Sequence, residues 1–212
     1  MIYTISDVHG CFDKLMEMIN KIKFTKDDTL YILGDMIDRG DKPIEVLKYA
    51  MANKNVFALR GNHEGFMIDN DLWSWIMNGG RKTIEDLSKL KDDEREEILK
   101  FVSELPLLKT IEVKDNTFCL VHAGVQINDS GEIIEKQNQD FLLWAREEYM
   151  NQSSNHEEII VSGHTPTFYM TKSDKSQATV FKDRNKIFID CGCAYGGRLA
   201  CVRLNDLKVF YV

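Results

Sequence analysis

The sequence predicts an α/β fold, and the evidence lies mainly in residues 1–60. Short apolar runs typical of strands alternate there with segments whose apolar residues recur at helical spacing. Each strand-like run ends in a polar loop that contains glycine. A strand–helix–strand–helix–strand order implies parallel strands, whose carboxyl ends meet at one edge of a sheet. The polar loops are therefore expected to converge.

The elements of this first part follow in order. Residues 1–6 predict a strand, and residues 12–22 predict a helix because their apolar side chains fall on one helical face. Residues 29–33 predict a second strand. Pro43 suits the first turn of the next helix, because its fixed φ is helical and its missing N–H would find no partner there. Residues 55–59 predict a third strand.

The rest of the chain changes character twice. Residues 66–106 contain two tryptophans, the sequence NGG and a charge-rich stretch, and they predict a helical insert with a solvated face. The turn signal KDN joins two strand-like runs into a hairpin whose second strand leads to His122. One further helix is expected from Asn138 to Met150. Strands are expected near the end, in the segments EEIIVSGHT, ATVFK, KIFID, ACVRL and KVFYV.

Composition indicates one globular domain across residues 1–212. Hydrophobic residues make up 43% of the chain and charged residues 29%, which is enough apolar material for a core. No apolar run is long enough to span a bilayer, and the chain opens with a strand-like run rather than a signal segment. We therefore expect a cytoplasmic protein with no membrane partner.

Cysteine usage and net charge argue against two classes of protein, those held by disulfides and those that bind nucleic acids. The five cysteines are an odd number without a CxxC pair, which argues against a disulfide framework. We interpret them as reduced structural thiols. The net charge of −7 would repel a phosphate backbone, so we expect no nucleic-acid partner. Any phosphate group that binds here needs a local source of positive charge.

Four of the five histidines directly follow strand-like runs: His9, His63, His122 and His164. A single histidine in such a place is more often a hydrogen-bonded structural residue. Four of them at the ends of strands that share one edge indicate a functional site instead.

Carboxylate and amide side chains accompany these histidines. Asp7 lies two positions before His9, so both can face one ion, and imidazole with carboxylate suits zinc, iron or manganese. Asp35 and Asn62 each follow about one strand–helix step later. The converging loops would thus offer Asp7, His9, Asp35, Asn62, His122 and His164.

Six ligands are too many for one catalytic ion that must keep an open position, so two ions are the natural solution. Two ions about 3.5–4 Å apart, joined by a shared carboxylate, can activate one water and stabilise an in-line displacement at phosphorus. Asp35 is the candidate for the shared carboxylate. The ions would also supply the positive charge that this acidic chain lacks.

The ordered motifs SDVHG, GDMIDRG, RGNHE, HAG and GHT resemble the signature blocks of the metallophosphoesterases, specifically of the phosphoprotein phosphatase family. They run from Asp7 to Thr165. The DxH pair alone is a weak signal, whereas the ordered set with DRG and GNHE is very specific. NGGRKT, FLLWAR and IDCGCAYGGRL further resemble small bacterial and phage-type members. The chain departs from the family at Ser6, where glycine is usual.

The resemblance implies a calcineurin-like sandwich, in which two mixed β-sheets face each other, helices flank them and the loops hold two divalent ions. It implies manganese, with iron, zinc, nickel or cobalt as alternatives. One ion would bind Asp7, His9 and Asp35. The other would bind Asp35, Asn62, His122 and His164.

The resemblance also implies the catalytic groups. His63 would be the general acid that protonates the leaving oxygen, and Asp38 would orient it and keep it protonated. Arg39 would bind non-bridging phosphate oxygens, because a guanidinium fork matches them. Arg146 would be a second phosphate-binding arginine, although the local sequence alone predicts an exposed arginine on a helix. Asn62 completes the expected substrate-binding set.

The expected activity is hydrolysis of phosphomonoesters, on a phosphoprotein or a phosphorylated small molecule. A serine/threonine protein phosphatase is the first hypothesis, because the chain holds little beyond the core and the helical insert. A symmetrical diadenosine tetraphosphate hydrolase, which shares the same core, is the alternative. A catalytically inactive scaffold is the third hypothesis; it predicts lost ligands, and none of the six is lost.

Overall fold

Two β-sheets form the centre of the molecule. The computed structural model describes residues 1–69, 71–152 and 157–212. Within these ranges the strands of the first sheet are β1 (Ile2–Ile5), β2 (Thr29–Ile32), β3 (Val56–Ala58), β9 (Ala200–Arg203) and β10 (Lys208–Tyr211). The second sheet contains β4 (Leu108–Val113), β5 (Asn116–Val121), β6 (Ile159–Ser162), β7 (Phe181–Asp183) and β8 (Lys186–Phe188).

Helices lie between the strands. The first half of the chain contains α1 (Phe12–Lys21), α2 (Pro43–Ala52), α3 (Asn62–Asp69), α4 (Leu72–Met77), α5 (Arg81–Lys89) and α6 (Asp92–Ser103). The second half contains α7 (Gln139–Trp144), α8 (Glu147–Met150) and α9 (Thr167–Thr171). Short 3-10 helices occupy Lys175–Gln177 and Cys193–Tyr195.

Both sheets are mixed, as predicted. The strand orders are β10–β9–β1–β2–β3 and β4–β5–β6–β8–β7. The predicted parallel arrangement of β1, β2 and β3 is confirmed. In the second sheet β5 runs parallel to β6, while β4 and β5 form the predicted antiparallel hairpin. The carboxyl ends of β1, β2 and β3 therefore share one edge, which is the arrangement predicted to bring the polar loops together.

The period-two pattern of the strands divides the core into layers. Tyr3 and Ile5 on β1 pack in the cluster that joins the first sheet to its helices, whereas Ile2 packs in the cluster between the sheets. On β5, Phe118 lies between the sheets and Cys119 lies in the outer cluster that includes residues of α7 and α8. Each sheet therefore buries both faces, which is the sandwich expected from the sequence.

Two local expectations were wrong. The single helix expected over residues 138–150 is divided into α7 and α8, because Ala145 and Arg146 adopt non-helical backbone angles. The motif RGNHE is not wholly a loop, since α3 begins at Asn62.

The cysteines agree with the expectation of reduced thiols. All five cysteines are free; Cys11 is half-buried and the other four are buried. In the described ranges, no helix has both the length and the apolar character needed to cross a membrane.

Candidate active site

The polar loops meet as predicted, at the edge where strands of both sheets end. Each of the six expected metal ligands is at most 6% exposed, and each lies close to the others. Several residues of the polar loops have positive φ angles, which are costly for residues other than glycine: Asp7 (52°), His9 (46°), Asp35 (51°), Asp38 (71°), Arg39 (66°) and His164 (65°). Such backbone strain, about 1–3 kcal/mol per residue, concentrates at functional sites.

The first group of expected ligands lies around the imidazole of His9. Its Nδ1 donates a hydrogen bond to the carbonyl oxygen of Ile37 at 2.8 Å, so the lone pair of the neutral ring is on Nε2. This Nε2 lies 3.4 Å from Oδ2 of Asp35 and 3.9 Å from Oδ1 of Asp7. The carbonyl contact fixes the ring orientation, as it does for many metal-binding histidines.

The second group surrounds His122. Its Nδ1 lies 2.8 Å from the carbonyl oxygen of Leu33, which again leaves the lone pair on Nε2. That atom lies 2.9 Å from Oδ1 of Asn62, 3.2 Å from Nδ1 of His164 and 3.5 Å from Oδ1 of Asp35. Several atoms that accept hydrogen bonds thus face one another in a buried space.

These groups fit metal ions. Converging lone pairs repel one another unless a cation lies between them, and imidazole, carboxylate and amide donors suit divalent manganese, iron or zinc. Nε2 of His164 is buried and has no hydrogen-bond partner among the described residues. Asp35 directs Oδ2 towards His9 and Oδ1 towards His122. Its two oxygens therefore face the two histidine groups, one each.

Ser6, the departure from the family pattern, contacts the carboxylate of Asp7. Its hydroxyl donates a hydrogen bond to Oδ2 of Asp7, which also accepts one from the backbone N–H of His164 at 2.9 Å. A side chain at Gly163 would collide with the Ser6 hydroxyl, since a Cβ there would lie 1.9 Å from it. Ser6 thus helps to fix the orientation of Asp7.

Glu64 was not singled out from the sequence, yet it connects two of the loops. It is fully buried, and its Oε2 accepts hydrogen bonds from the backbone N–H groups of Asp35 at 2.9 Å and Gly61 at 2.8 Å. Its Oε1 accepts one from the N–H of Met36 at 2.8 Å. Its place at the end of RGNHE was the available signal, but a glutamate in a polar motif is usually exposed.

A second hydrogen-bonded chain contains the expected acid. Nδ1 of His63 lies 2.6 Å from Oδ2 of Asp38. Trp75 donates its indole N–H to both oxygens of Asp38 at 2.9 Å, and the Thr83 hydroxyl donates to Oδ1 at 2.6 Å. Burial raises the pKa of Asp38 to about 6, while these donors and Arg39 act in the opposite direction.

Arg39 lies between two histidines. Its Nη2 is 2.9 Å from Nε2 of His63, its Nη1 contacts Nε2 of His9, and its guanidinium lies 5.0 Å from the ring centre of Tyr195. Burial, and then the charge of Arg39, hold the pKa of His63 well below its usual range. Both effects oppose the protonated His63 that an acid role requires, whereas the contact with Asp38 favours it.

A cleft of about 320 Å³ opens over this site. Arg39 and Arg146 both line it, and Nη1 of Arg146 donates to the Thr165 hydroxyl at 3.1 Å. Arg146 is exposed and lies at the break between α7 and α8, so it is not the ordinary helical arginine that its surroundings in the sequence suggested. Exposed aromatic side chains also line the cleft: Trp144, Tyr169 and Tyr195.

Asp190 is a further buried carboxylate beside the site that sequence reasoning missed. It is 3% exposed, and its Oδ1 accepts a hydrogen bond from the N–H of Gly192 at 2.8 Å. Burial and then the negative charge of Asp7 raise its pKa well above the usual range. Its position directly after a strand, in IDCGC, was the signal.

Comparisons with known proteins agree with this geometry. A family model described as calcineurin-like phosphoesterase matches residues 1–208. Bis(5'-nucleosyl)-tetraphosphatase PrpE (asymmetrical) of Bacillus subtilis is 26% identical over 243 residues, covering 98% of this chain and 92% of that protein. Serine/threonine-protein phosphatase 1 of Salmonella typhimurium is 27% identical over 215 residues, covering 96% and 92%. The solved structure of a candidate diadenosine tetraphosphatase has a TM-score of 0.73 at 18% identity, covering 100% and 92%.

The fold and the site therefore define a metallophosphoesterase, which is a hydrolase of phosphoester bonds. The chain belongs to the calcineurin-like phosphoesterase family. Its relatives include enzymes of the phosphoprotein phosphatase type, which confirms the resemblance seen in the sequence motifs.

Proposed function

We propose that this protein is a metal-dependent phosphomonoester hydrolase that removes phosphate from phosphoserine and phosphothreonine in proteins. The observation that carries the chemistry is the placement of Asp35, which directs one oxygen towards each of two buried histidine groups. The Salmonella relative supports this substrate class. In this proposal residues 1–212 form one catalytic domain, with residues 66–106 as a helical insert.

Six residues would hold two divalent ions, with manganese as the proposed metal. When bound, the ions would polarise a water molecule and neutralise negative charge on the phosphoryl group. Asp7, His9 and Asp35 would form one set of ligands. Asp35, Asn62, His122 and His164 would form the other.

Arg39 and Arg146, which both line the cleft, would bind the non-bridging phosphate oxygens. The lone pair on Nε2 of His9 cannot serve both an ion and Arg39, so metal binding would release the guanidinium towards the cleft. A planar guanidinium can then donate two parallel hydrogen bonds to a phosphate. Asn62 lines the same cleft and would contribute to substrate binding.

His63 would donate a proton to the leaving oxygen. Its Nδ1 is held by Asp38, which leaves Nε2 directed towards Asp35 and Arg39, at 3.9 Å from Oδ2 of Asp35. An alkoxide such as that of serine is a poor leaving group, so protonation as the bond breaks contributes about 10²–10⁴ in rate.

Hydrolysis of a dinucleoside tetraphosphate is the second candidate. The aromatic side chains of the cleft favour it, because Tyr169 is 63% exposed, Trp144 41% and Tyr195 40%, and such rings can stack on a nucleobase. The Bacillus subtilis relative carries the name of such an enzyme.

One comparison separates the two candidates. We would measure kcat/KM of the manganese-loaded protein on a phosphoseryl peptide, a phosphotyrosyl peptide and diadenosine tetraphosphate, with Asp35→Asn as the inactive control. The highest value on the phosphoseryl peptide supports the proposal. The highest value on the dinucleotide, with a selective loss in Tyr169→Ala, would replace it with the second candidate.

A further inference from the structure

The helical insert reaches the catalytic loop through the segment around NGGRKT, residues 78–83. Trp75 on α4 and Thr83 on α5 both bind Asp38, which lies 37 and 45 residues away from them along the chain. The Thr83 oxygen also accepts the backbone N–H of Asp38 at 3.1 Å. The carbonyl of Gly79 accepts the N–H of Arg39 at 3.1 Å. The insert therefore fixes both the side chain and the backbone of this loop.

The glycines of NGG permit this close approach. A Cβ at Gly79, whose φ is +98°, would lie 2.9 Å from Cγ of Arg39. A Cβ at Gly80 would lie 2.2 Å from the indole ring of Trp75. Trp75 and Thr83 are 6% and 0% exposed, so their polar groups have little access to water and depend on Asp38.

We infer that Trp75 and Thr83 are positioning residues for protonation of the leaving group, and that they act through Asp38 on His63. The inference rests on the proposed acid role of His63. Asp38 is fully buried, and the donors from the insert set the plane of its carboxylate. That plane determines where Oδ2 holds Nδ1 of His63, and hence how the opposite nitrogen of the ring is placed relative to Asp35 and Arg39.

The inference differs from a merely structural role in a measurable way. If the insert only stabilised the fold, losing these donors would lower the rate on every substrate equally. If it orients the acid, the loss should grow as the leaving group becomes poorer, because general-acid help matters most for a basic leaving oxygen. The ligands of the proposed metal centre are untouched, so metal content should not change.

The test uses Thr83→Val, which replaces a hydroxyl with a methyl group of similar size, and Trp75→Phe, which removes the indole N–H together with one ring. We would measure kcat of the manganese-loaded variants on a phosphoseryl peptide and p-nitrophenyl phosphate, with metal content by elemental analysis. We expect a loss of about 10-fold on the peptide, the size expected for a hydrogen bond to a charged group, and at most about 2-fold on the nitrophenyl ester. Thr83→Ser, which keeps a hydroxyl at this position, should retain most of the rate on the peptide.

Thr4→Val is the control for the loss of a buried threonine hydroxyl, and Trp73→Phe is the control for a tryptophan substitution in the same helix. Thr4→Val changes an equally buried threonine whose hydroxyl has no partner among the described residues. Trp73→Phe changes the 74% exposed tryptophan of the same helix α4. Neither control should show selectivity between the substrates. Equal losses on both substrates in Thr83→Val and Trp75→Phe, or no loss at all, would overturn the inference.

His63→Ala separates this inference from the proposed function. If His63→Ala selectively lowers kcat on the phosphoseryl peptide and the insert variants do not, only the positioning role is wrong. If His63→Ala itself shows no selectivity, the acid assignment is wrong, and the positioning role is refuted with it. In the His63→Ala background, Thr83→Val should have almost no further effect, because the group through which it acts is gone.

Discussion

Replacement of Glu64 by glutamine should loosen the two loops that carry Asp35 and Asn62. The glutamate accepts three backbone N–H groups: two on Oε2, from Asp35 and Gly61, and one on Oε1, from Met36. Glutamine offers one oxygen and one NH₂ group. Its better orientation keeps the two bonds at Oε2 and sets the NH₂ group against the N–H of Met36.

The magnitude follows from these contacts. Losing one charge-assisted bond and leaving a buried donor unsatisfied costs about 1.5–3 kcal/mol, and the remaining bonds to a neutral oxygen weaken further. Removing a buried charge offsets part of this, since burial raises the pKa of Glu64. We expect a net loss of about 2 kcal/mol. For a chain of this size, that lowers Tm by about 4–8 °C.

Thermal unfolding followed by circular dichroism measures this shift in Tm. Titration of the metal-free protein with manganese measures the affinity of the proposed site for the ion. Glu97→Gln, an exposed position on α6, is the control and should change neither value. We expect Glu64→Gln to lower both Tm and manganese affinity. An unchanged Tm together with unchanged affinity would refute the view that Glu64 organises these loops.

Three further outcomes test the site itself. Protein stripped of metal by a chelator should be inactive and should recover with added manganese; full activity in protein shown by elemental analysis to be metal-free would contradict the dinuclear proposal. Asp35→Asn should lower metal occupancy as well as rate, whereas Arg39→Ala should keep about two ions and weaken phosphate binding, so equal metal loss in both would contradict their roles. His63→Ala should lose about 10²-fold or more on a phosphoseryl peptide and clearly less on p-nitrophenyl phosphate, and uniform losses would place His63 in phosphate positioning instead.

The fold was predictable where a local pattern decides the structure. The parallel strands β1, β2 and β3 follow from apolar runs alternating with helical periodicity, because that order permits few arrangements. The break between α7 and α8 was not predictable, since LLWAREEYM contains no glycine or proline. The non-helical backbone of Arg146 accompanies a tertiary contact, the hydrogen bond from its side chain to Thr165, and such contacts override propensity.

The candidate site divides in the same way. Side chains that follow strands were found because the sheet edge brings them together, and Asp35 and His122 are examples. Glu64, Trp75 and Thr83 were missed, although each binds a loop that the sequence had singled out. Their contacts arise from packing of the helical insert and of α3 against the loops. No periodicity or spacing in one sequence encodes which polar side chain will be buried there.

The proposed ligands come from both sheets, and this links metal binding to the whole sandwich. Asp7 and Asp35 follow β1 and β2 in the first sheet, whereas His122 and His164 follow β5 and β6 in the second. Without a cation, the lone pairs at this junction oppose close packing of the loops. An ion that binds the folded state alone stabilises it by about 2.7 kcal/mol at a hundred times its dissociation constant. The centre proposed for catalysis would therefore also hold the two sheets together at the edge beside the cleft.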